Sequence, residues 1–309
     1  MVDVSIIIVN WNTRELLQGC LRSIYKQTRD INYEIIVVDN ASTDGSVEMV
    51  KKNFLQVILV ENSQNLGFAR ANNIGIRSSK GRYICLVNSD IIVLEECIEN
   101  LMSFMDEHPA PGMIGPRILN PDRTLQPSCR HFPTIWNNLC QSLGLNHLFP
   151  KSPFFSYWIM DYWNHDSVRS VDALSGCFWM VRREVMNEVG LLDEDFFIYG
   201  EDIDWCRRFH QVGWDIVFYP IAEAIHVGGA SSDNAPIRFY IEMQKADLQY
   251  WRKHHGKIGK AGYAVVILLR NALRVIARAL QCAFWPSRRE TAGFKLRRSI
   301  ACIRWVLHI

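Results

Sequence analysis

The chain has 309 residues, of which 49% are hydrophobic and 21% are charged. These proportions are typical of a globular protein with a substantial buried core, and they exclude a disordered or fibrous chain. Nine cysteines are scattered without a C-x-x-C pair, so we expect reduced, buried thiols and neither a disulfide framework nor a zinc site. No basic segment precedes the first strand-like residues, which predicts a cytoplasmic protein without a signal peptide.

The net charge of +2 conceals a division along the chain. Residues 251–309 contain thirteen lysines and arginines and one acid, Glu290, whereas the first 250 residues contain 21 basic and 31 acidic side chains. A basic segment of this kind indicates contact with an anionic surface, either a membrane or nucleic acid.

Over the first 120 residues, apolar runs alternate with segments in which apolar residues recur at helical spacing. Strands are predicted at 4–9, 33–38, 57–60 and 83–87, and helices at 13–27, 47–53 and 69–79. This alternation predicts right-handed crossovers and a mostly parallel sheet, in an α/β domain of the nucleotide-binding type. Neither a dinucleotide fingerprint nor a P-loop follows the first strand.

Prolines and aromatic residues interrupt the pattern between 120 and 170, which indicates a loop-rich insertion over one face of the sheet. Regular structure resumes at 171–181, followed by a predicted helix at 183–189 and late strands at 216–219 and 222–226. From Pro236 onward the pattern predicts helix to the end of the chain, with interruptions at three glycines and at Pro286.

Polar residues follow three of the predicted strands. Asn10 ends the first strand, Asp39 ends the second, and Asn88-Ser89-Asp90 follows the fourth. Ligands collect at the carboxyl ends of parallel strands, where a carboxylate can share a divalent cation with phosphate oxygens. The alternative is that these residues only cap the turns that follow.

Six segments together carry a family resemblance. They are Ile-Ile-Val-Asn-Trp-Asn at 7–12, Val-Val-Asp-Asn-Ala-Ser-Thr-Asp-Gly-Ser at 37–46, Asn-x-Gly-Phe-Ala-x-Ala-Asn-Asn at 65–73, Asn-Ser-Asp at 88–90, Ser-Gly-Cys-Phe-Trp-Met-Val-Arg-Arg at 175–183 and Glu-Asp-Ile-Asp at 201–204. In order and spacing the set resembles the family 2 glycosyltransferases with the GT-A fold, especially their bacterial rhamnosyltransferase-like branch. The resemblance extends from Val4 to Gly229.

The resemblance implies a GT-A catalytic domain over 1–235, in which a mostly parallel sheet is flanked by helices. Its nucleotide-binding half would be 1–120 and its acceptor half 121–235, followed by a basic amphipathic helical tail over 236–309. The implied donor is a nucleoside diphosphate sugar. The residues implied in substrate binding are Asn10, Asp39, Asn65, Gly67, Arg70, Asn73, Asn88 and Gly176. For Arg70 and Asn73, a solvated helix face is the alternative.

Asn88 replaces the first acid of the Asp-x-Asp pattern of the fold, which leaves Asp90 as the implied direct ligand of Mg²⁺ or Mn²⁺. His226 is the implied second ligand, and a structural histidine is the alternative. Asp202 is the implied catalytic base, which removes the proton of the acceptor hydroxyl. Glu201 would help to place Asp202. The alternative for Glu201, Asp202 and Asp204 is that they complement a helix dipole.

The basic tail contains Arg270, Arg274 and Arg278 at intervals of four residues, along one side of a predicted helix. The other side is left to apolar residues: Val266, Leu269, Leu273, Ile276 and Leu280. The longest uncharged run covers 261–269, against about twenty residues needed to span a bilayer. We therefore expect 260–309 to lie on an anionic membrane surface. Packing on the catalytic domain or a homodimer contact is the alternative, and no nucleic-acid-binding module is recognised.

The predicted activity is an inverting, metal-dependent hexosyl transfer. One sugar, with rhamnose from a dTDP donor as the first choice, would pass to a hydroxyl of a lipid-linked or polysaccharide acceptor at the inner face of a bacterial membrane. A Gln-x-x-Arg-Trp motif is missing, which favours single addition over processive synthesis. The alternatives are a nucleotidyltransferase, for which a glycine-rich basic loop after the first strand is missing, and a non-catalytic scaffold of a membrane glycan assembly.

Overall fold

A computed structural model describes residues 2–160, 162–228 and 236–308 of the chain. Gly229, where the family resemblance ends, and the predicted domain boundary at 235 lie outside the described residues. The chain divides into two compact units. The first consists of Met1–Phe132 and Trp163–Asp233, and the second of Pro133–Tyr162 and Asn234–Ile309.

The first unit begins with strands and helices in strict alternation. They are β1 (Val4–Asn10), α1 (Arg14–Gln27), β2 (Tyr33–Asp39), α2 (Ser46–Asn53), β3 (Ile58–Glu61), α3 (Phe68–Ser78) and β4 (Tyr83–Asn88). Each boundary lies within one residue of its prediction from the sequence. The signal is clear because β1, β2 and β4 are buried on both faces and consist of nearly continuous apolar runs.

The later elements are shorter and more irregular. They are β5 (Ile91–Val93), α4 (Cys97–Glu107), β6 (Pro111–Leu119), β7 (Cys129–Arg130), α5 (Ile135–Leu143), α6 (Leu145–Leu148), β8 (Arg169–Ser170), β9 (Ala173–Leu174), β10 (Phe178–Arg182), α7 (Met186–Val189), α8 (Glu201–Gln211), β11 (Asp215–His226), α9 (Pro236–Phe284) and α10 (Arg289–Leu307). The two late strands predicted from the sequence are one strand, β11. Its register against β6 shifts between Tyr219 and Glu223, around Pro220, which has no N–H to donate to the ladder.

The main sheet has the order β3-β2-β1-β4-β10-β6-β11-β5, with β8 paired to β11. The first four strands are parallel, whereas β10 runs antiparallel to both β4 and β6. The predicted α/β fold with a mostly parallel sheet between helices is confirmed. Because β10 is antiparallel to β4, the residues that precede β10 lie at the edge where β1, β2 and β4 end.

The second unit is helical. Helix α9 breaks at Gly256, whose φ of 68° lies in the left-handed region. Its two halves turn back on one another there, since Tyr240 contacts Asn271 and Asp247 contacts Tyr263 through side-chain hydrogen bonds. Residues 133–162, predicted to be part of the acceptor half, belong instead to the second unit. Their helix α5 packs on α9.

The arginine side of α9, expected at a membrane surface, is turned inward. Arg270 is 8% exposed and donates a hydrogen bond to Gln244, and Arg274 Nη1 donates to the Tyr240 hydroxyl at 2.9 Å. The opposite side is apolar and exposed along its whole length, at Val265, Leu269, Leu273, Ile276, Leu280 and Phe284. We call these six residues the apolar stripe. Within the described ranges, no helix combines the length and apolar character that a membrane span requires.

Candidate active site

A buried chain of hydrogen bonds joins the polar ends of three parallel strands. The Ser89 and Thr13 hydroxyls lie 2.8 Å apart, and the Thr13 hydroxyl donates to Asn10 Oδ1 at 2.7 Å. Asn10 Nδ2 in turn donates to Asp39 Oδ2 at 2.8 Å. The register of the sheet makes this possible, because Asn10 pairs with Asp39 across β1 and β2. The ends of the three strands are therefore linked through the side chains of Asp39, Asn10 and Ser89.

Asp39 is 1% exposed at the end of β2. Besides the bond from Asn10, its Oδ1 accepts a hydrogen bond from the backbone N–H of Ser42 at 2.8 Å. Each carboxylate oxygen has further lone pairs with which it can accept a hydrogen bond from a ligand. Asn10 is completely buried, and its observed contacts are to protein, so it orients Asp39 in the structure.

Asp90 and His226 lie side by side. The N–H of Gly228 donates to Asp90 Oδ2 at 3.0 Å, and His226 Nε2 lies 3.3 Å from Asp90 Oδ1. On the far side of the ring, His226 Nδ1 lies 2.6 Å from Gln126 Oε1. Since an amide oxygen only accepts, Nδ1 carries the hydrogen, and in the neutral ring the lone pair of Nε2 faces the carboxylate.

This arrangement fits a shared divalent cation. A lone pair facing a carboxylate oxygen is unfavourable unless a proton or a metal ion lies between them. Two ligands at about 2.1 Å from one octahedral ion and roughly 90–100° apart are separated by about 3.0–3.2 Å, close to the observed spacing. Among the described residues, no group of three or more His, Cys, Asp or Glu side chains is arranged to hold a metal. Two protein ligands are compatible with Mg²⁺, which keeps several waters and binds substrate phosphates.

Asp202 lies beside the same sheet edge. The N–H of Asn88 donates to the carbonyl of Cys177 at 2.9 Å, and the neighbouring Gly176 N–H donates to the Asp202 carboxyl. A Cβ at Gly176 would lie 3.4 Å from Asp202 Cβ, in ordinary contact. The structure thus brings Gly176, Asn88 and Asp202 together. Burial raises the pKa of Asp202, and the N–H groups of Ile203 and Gly176 and the charge of Arg130 oppose that rise.

Glu201 and Asp204, on either side of Asp202, occupy different environments. Glu201 is 5% exposed, and its Oε2 has no hydrogen-bond partner among the described residues. Burial, followed by the charges of Asp202 and Asp204, raises the pKa of Glu201 well above its usual range. Asp204 is fully buried and forms an ion pair with Arg208 at 3.0 Å. This contact indicates a structural role for Asp204.

Asn65 and Gly67 shape the loop before α3. Asn65 Oδ1 accepts a hydrogen bond from the Gly67 N–H at 2.9 Å, and the next N–H, of Phe68, donates to the Phe197 carbonyl at 2.7 Å. Gly67 has a φ of 85°, and a Cβ there would lie 2.3 Å from the same carbonyl oxygen. Only glycine allows this approach. In the structure the start of α3 therefore holds the loop that precedes α8.

Asn73 and Arg70 contact the same loop farther along α3. Asn73 is buried, donates to the Leu192 carbonyl at 2.8 Å and accepts from the Leu192 N–H at 3.1 Å. Arg70 Nε lies 3.6 Å from a carboxylate oxygen of Glu194, and its side chain is largely exposed. The observed contacts of these two residues are to protein, and their implied part in substrate binding stays a prediction.

Sequence reasoning missed three residues of the site. Nothing in the sequence indicates that Thr13 belongs to the site, apart from its position before α1. Gln126 and Arg130 lie in the proline-interrupted segment, where no periodicity indicates which side chains point inward. Gln126 also donates to the His226 carbonyl at 3.2 Å. The side chain of Arg130 donates to the carbonyls of Pro127 and Cys129.

Comparisons with known proteins show a family and several similar sequences. The family model described as "Glycosyl transferase family 2" matches residues 5–190. An N-acetylglucosaminyl-diphospho-decaprenol L-rhamnosyltransferase of Mycobacterium tuberculosis is 28% identical over 267 residues, covering 82% of this chain and 86% of that protein. The dTDP-rhamnosyl transferase RfbF of Shigella flexneri is 28% identical over 270 residues, covering 83% of each chain.

A solved structure shares the fold. The mannosyltransferase PcManGT from Pyrobaculum calidifontis, in complex with GDP-Man and Mn²⁺, matches with a TM-score of 0.58 and 16% identity. The match covers 98% of this chain and 87% of that one.

Replacing Glu201 with glutamine tests its buried, neutral state. A glutamate whose folded-state pKa is raised favours folding below its unfolded-state pKa, and this advantage is lost as pH rises toward the folded-state pKa. Glutamine does not ionise, so the melting temperature of Glu201→Gln should exceed that of the wild type by a margin that grows from pH 5 to pH 8. Differential scanning calorimetry measures the two melting temperatures at each pH, and Glu95→Gln, at an exposed position, is the control. A margin that is constant with pH would contradict the assignment.

Proposed function

The chain belongs to glycosyl transferase family 2 and is a glycosyltransferase, and we propose that it transfers one L-rhamnose from a dTDP donor to a lipid-linked glycan acceptor with inversion at the anomeric carbon. The donor is supported by the similarity to RfbF of Shigella flexneri, whose name specifies dTDP-rhamnosyl transfer. The acceptor is supported by the Mycobacterium tuberculosis relative, whose name specifies a diphospho-decaprenol sugar.

The observation that carries the proposal is the contact of Asp202 with Gly176, beside the Asn88-Ser89-Asp90 strand end. In the proposed step the Asp202 carboxylate takes the proton of an acceptor hydroxyl as its O–H bond breaks. That oxygen bonds to the anomeric carbon, and the bond from this carbon to the diphosphate oxygen breaks. The electron pair of the broken bond leaves with dTDP.

The donor nucleotide would lie against the edge where β1, β2 and β4 end. We assign Asp39 to accept a hydrogen bond from the base or the ribose, because it is fixed from both sides and has further acceptor capacity. Asn88 faces the same edge and is only partly buried. Arg70, exposed at the start of α3, is the cation placed to approach a diphosphate.

Asp90 and His226 would hold Mg²⁺ or Mn²⁺, with Gln126 fixing the histidine ring. The bound ion supplies Lewis-acid stabilisation of the charge that develops on the leaving diphosphate. The hydrogen bond from the Gly228 N–H to Asp90 Oδ2 holds the carboxylate, so that Oδ1 faces the histidine.

Asp202→Asn tests the base. An amide cannot accept the proton, so rhamnosyl transfer should fall by about 10²- to 10⁴-fold. The affinity for dTDP in the presence of Mn²⁺ should stay unchanged. Asp195→Asn, at an exposed position in the loop before α8, is the matched control and should keep full transfer. Near-normal transfer by Asp202→Asn with normal dTDP affinity would overturn the assignment.

Asp90→Asn tests the metal site. We expect Mn²⁺ to tighten dTDP binding to the wild type and EDTA to reverse the effect, because Asp90 would hold the ion and its charge would attract the diphosphate. In the variant the affinity in Mn²⁺ should approach that of the wild type in EDTA, a loss of roughly 10- to 100-fold. Calorimetric titration measures it, again with Asp195→Asn as the control. A full Mn²⁺ effect in Asp90→Asn would rule out this carboxylate as a ligand.

The apolar stripe of α9 supports a second proposal, that the enzyme binds an anionic membrane surface on which its acceptor lies. The residues of the apolar stripe recur at intervals of three and four positions from Val265 to Phe284, and exposed Trp285 lies next to its end. Exposed Lys257 and Arg288 flank its two ends. The helix would lie parallel to the surface, with its apolar side among the acyl chains and the flanking cations at the head groups.

Ile276→Glu tests the stripe. The isoleucine is 59% exposed, so a charge there should not disturb folding but should weaken binding to phosphatidylglycerol vesicles by about tenfold or more. Leu55→Glu, an exposed apolar residue of the first unit, is the matched control. Vesicle sedimentation and size-exclusion light scattering are measured together. Unchanged sedimentation with a loss of dimers would identify the stripe as a contact between two copies instead.

A further inference from the structure

Three arginines in the first unit have no substrate contact assigned to them above. Arg117 lies near the end of β6, Arg130 on β7 and Arg169 on β8. Across the sheet, Arg169 is paired with Phe218 and Arg117 with Glu223, both on β11. The charges of these two arginines and of Arg130 lower the pKa of His165, after the larger effect of its burial. Aromatic rings complete the surroundings: Trp163 stacks on His165 at 4.4 Å, and Phe218 meets the ring edge-on at 5.6 Å.

His165 is held in an unusual position. It is 1% exposed, its φ of 54° lies in the left-handed region, and its Nδ1 donates to the Trp163 carbonyl at 2.9 Å. Its Nε2 is buried and has no hydrogen-bond partner among the described residues. A buried polar atom without a hydrogen-bond partner lowers the stability of the fold by about 1–3 kcal/mol. A ligand that supplies the missing partner explains why such an atom is present.

Two of the arginines, Arg117 and Arg169, also have unused donor capacity. Arg117 Nε is buried without a partner in the described part of the chain, and its guanidinium is 3.8 Å from Glu223, a long ion pair. Arg169 forms no ion pair with a described residue, and its guanidinium lies over the Trp163 ring at 4.9 Å. When a planar guanidinium lies on an aromatic ring, its N–H groups point outward in the plane of the guanidinium. In this orientation they can donate to two oxygens of one phosphate.

Arg130 connects the cluster to the reaction. It pairs with Ala173 on β9, in the segment that leads to Gly176, and Gly176 contacts Asp202. The charge of Arg130 also lowers the pKa of Asp202. Strands β6 and β8, which carry Arg117 and Arg169, lie on the opposite side of β10 from β1, β2 and β4, the edge proposed for the donor nucleotide. Two of the three arginines are therefore away from the proposed donor edge.

We propose that Arg117, Arg130 and Arg169 bind the diphosphate of a lipid-linked acceptor and so place the hydroxyl of the attached sugar at Asp202. The proposal rests on the proposed glycosyl transfer and specifies its acceptor as a prenyl diphosphate sugar. In such a molecule the anion is one sugar ring away from the reacting hydroxyl, which matches a cation cluster that begins at Arg130 beside the base. A hydroxyl of the sugar is the donor that His165 Nε2 lacks.

Arg169→Gln tests the cluster in the full-length protein, because this exposed side chain can be changed without disturbing the core. The probe is farnesyl diphosphate, with farnesol as the same tail without the anion, and affinities are measured by calorimetric titration. The variant should bind farnesyl diphosphate roughly tenfold more weakly, by the loss of one charge-assisted contact. Its affinity for farnesol and for dTDP should not change. Arg169→Lys should recover part of the loss, since it keeps the charge without the planar fork.

Arg22→Gln, at an exposed arginine on α1, is the matched control and should leave every affinity at the wild-type value. The proposal is overturned if the wild type does not bind farnesyl diphosphate more tightly than farnesol, or if Arg169→Gln binds it normally. It is also overturned if Arg169→Gln weakens dTDP binding instead, because the cluster would then belong to the donor. A wild type that binds farnesyl diphosphate but transfers no rhamnose would refute the proposed function and leave the diphosphate site intact.

Discussion

The architecture of the site depends on one buried interaction, the hydrogen bond from Asn10 to Asp39. Asn10 also accepts from Thr13, which meets Ser89, so the ends of β1, β2 and β4 are linked through a single amide. Leaving a buried donor or acceptor without its partner costs about 1–3 kcal/mol. The chain of bonds is complete only when the three strands are parallel and in the observed register, and the fold that satisfies it also brings the polar strand ends to one edge.

A second constraint joins the two halves of the site. Asn73 exchanges hydrogen bonds with Leu192, and the approach at Gly67 fixes Phe197, so helix α3 holds the loop that leads into α8. The segment Asn65–Asn73, which is part of the family resemblance, therefore also controls where Asp202 lies relative to Asp39. A substitution in this motif changes the position of the base as well as any contact with a donor, and its effect on turnover does not identify a substrate contact by itself.

The parts that were predictable from the sequence are those with a strong local pattern. The four parallel strands are continuous apolar runs, and their ends are marked by Asn10, Asp39 and Asn88. Gln126 and Arg130 could not be predicted in the same way, because they lie in an aperiodic segment positioned by pairing with β9. Periodicity separated the two sides of α9 but could not show which is covered, since that depends on Gln244 and Tyr240 beyond the break at Gly256.

The electrostatics decide between two adjacent acids. Burial raises the pKa of both Glu201 and Asp202, and two neighbouring carboxylates in a buried site do not ionise equally. Asp202 accepts hydrogen bonds from two backbone N–H groups and lies in the field of Arg130, all of which favour its charged form. Glu201 faces the charges of Asp202 and Asp204 and has an oxygen without a partner, so its neutral form is favoured. The environment therefore favours the charged form more at Asp202, the acid beside Gly176, than at Glu201. Under the proposed mechanism, a neutral Glu201 avoids a second negative charge near the leaving diphosphate, and a raised pKa would make Asp202 a stronger base than an exposed aspartate.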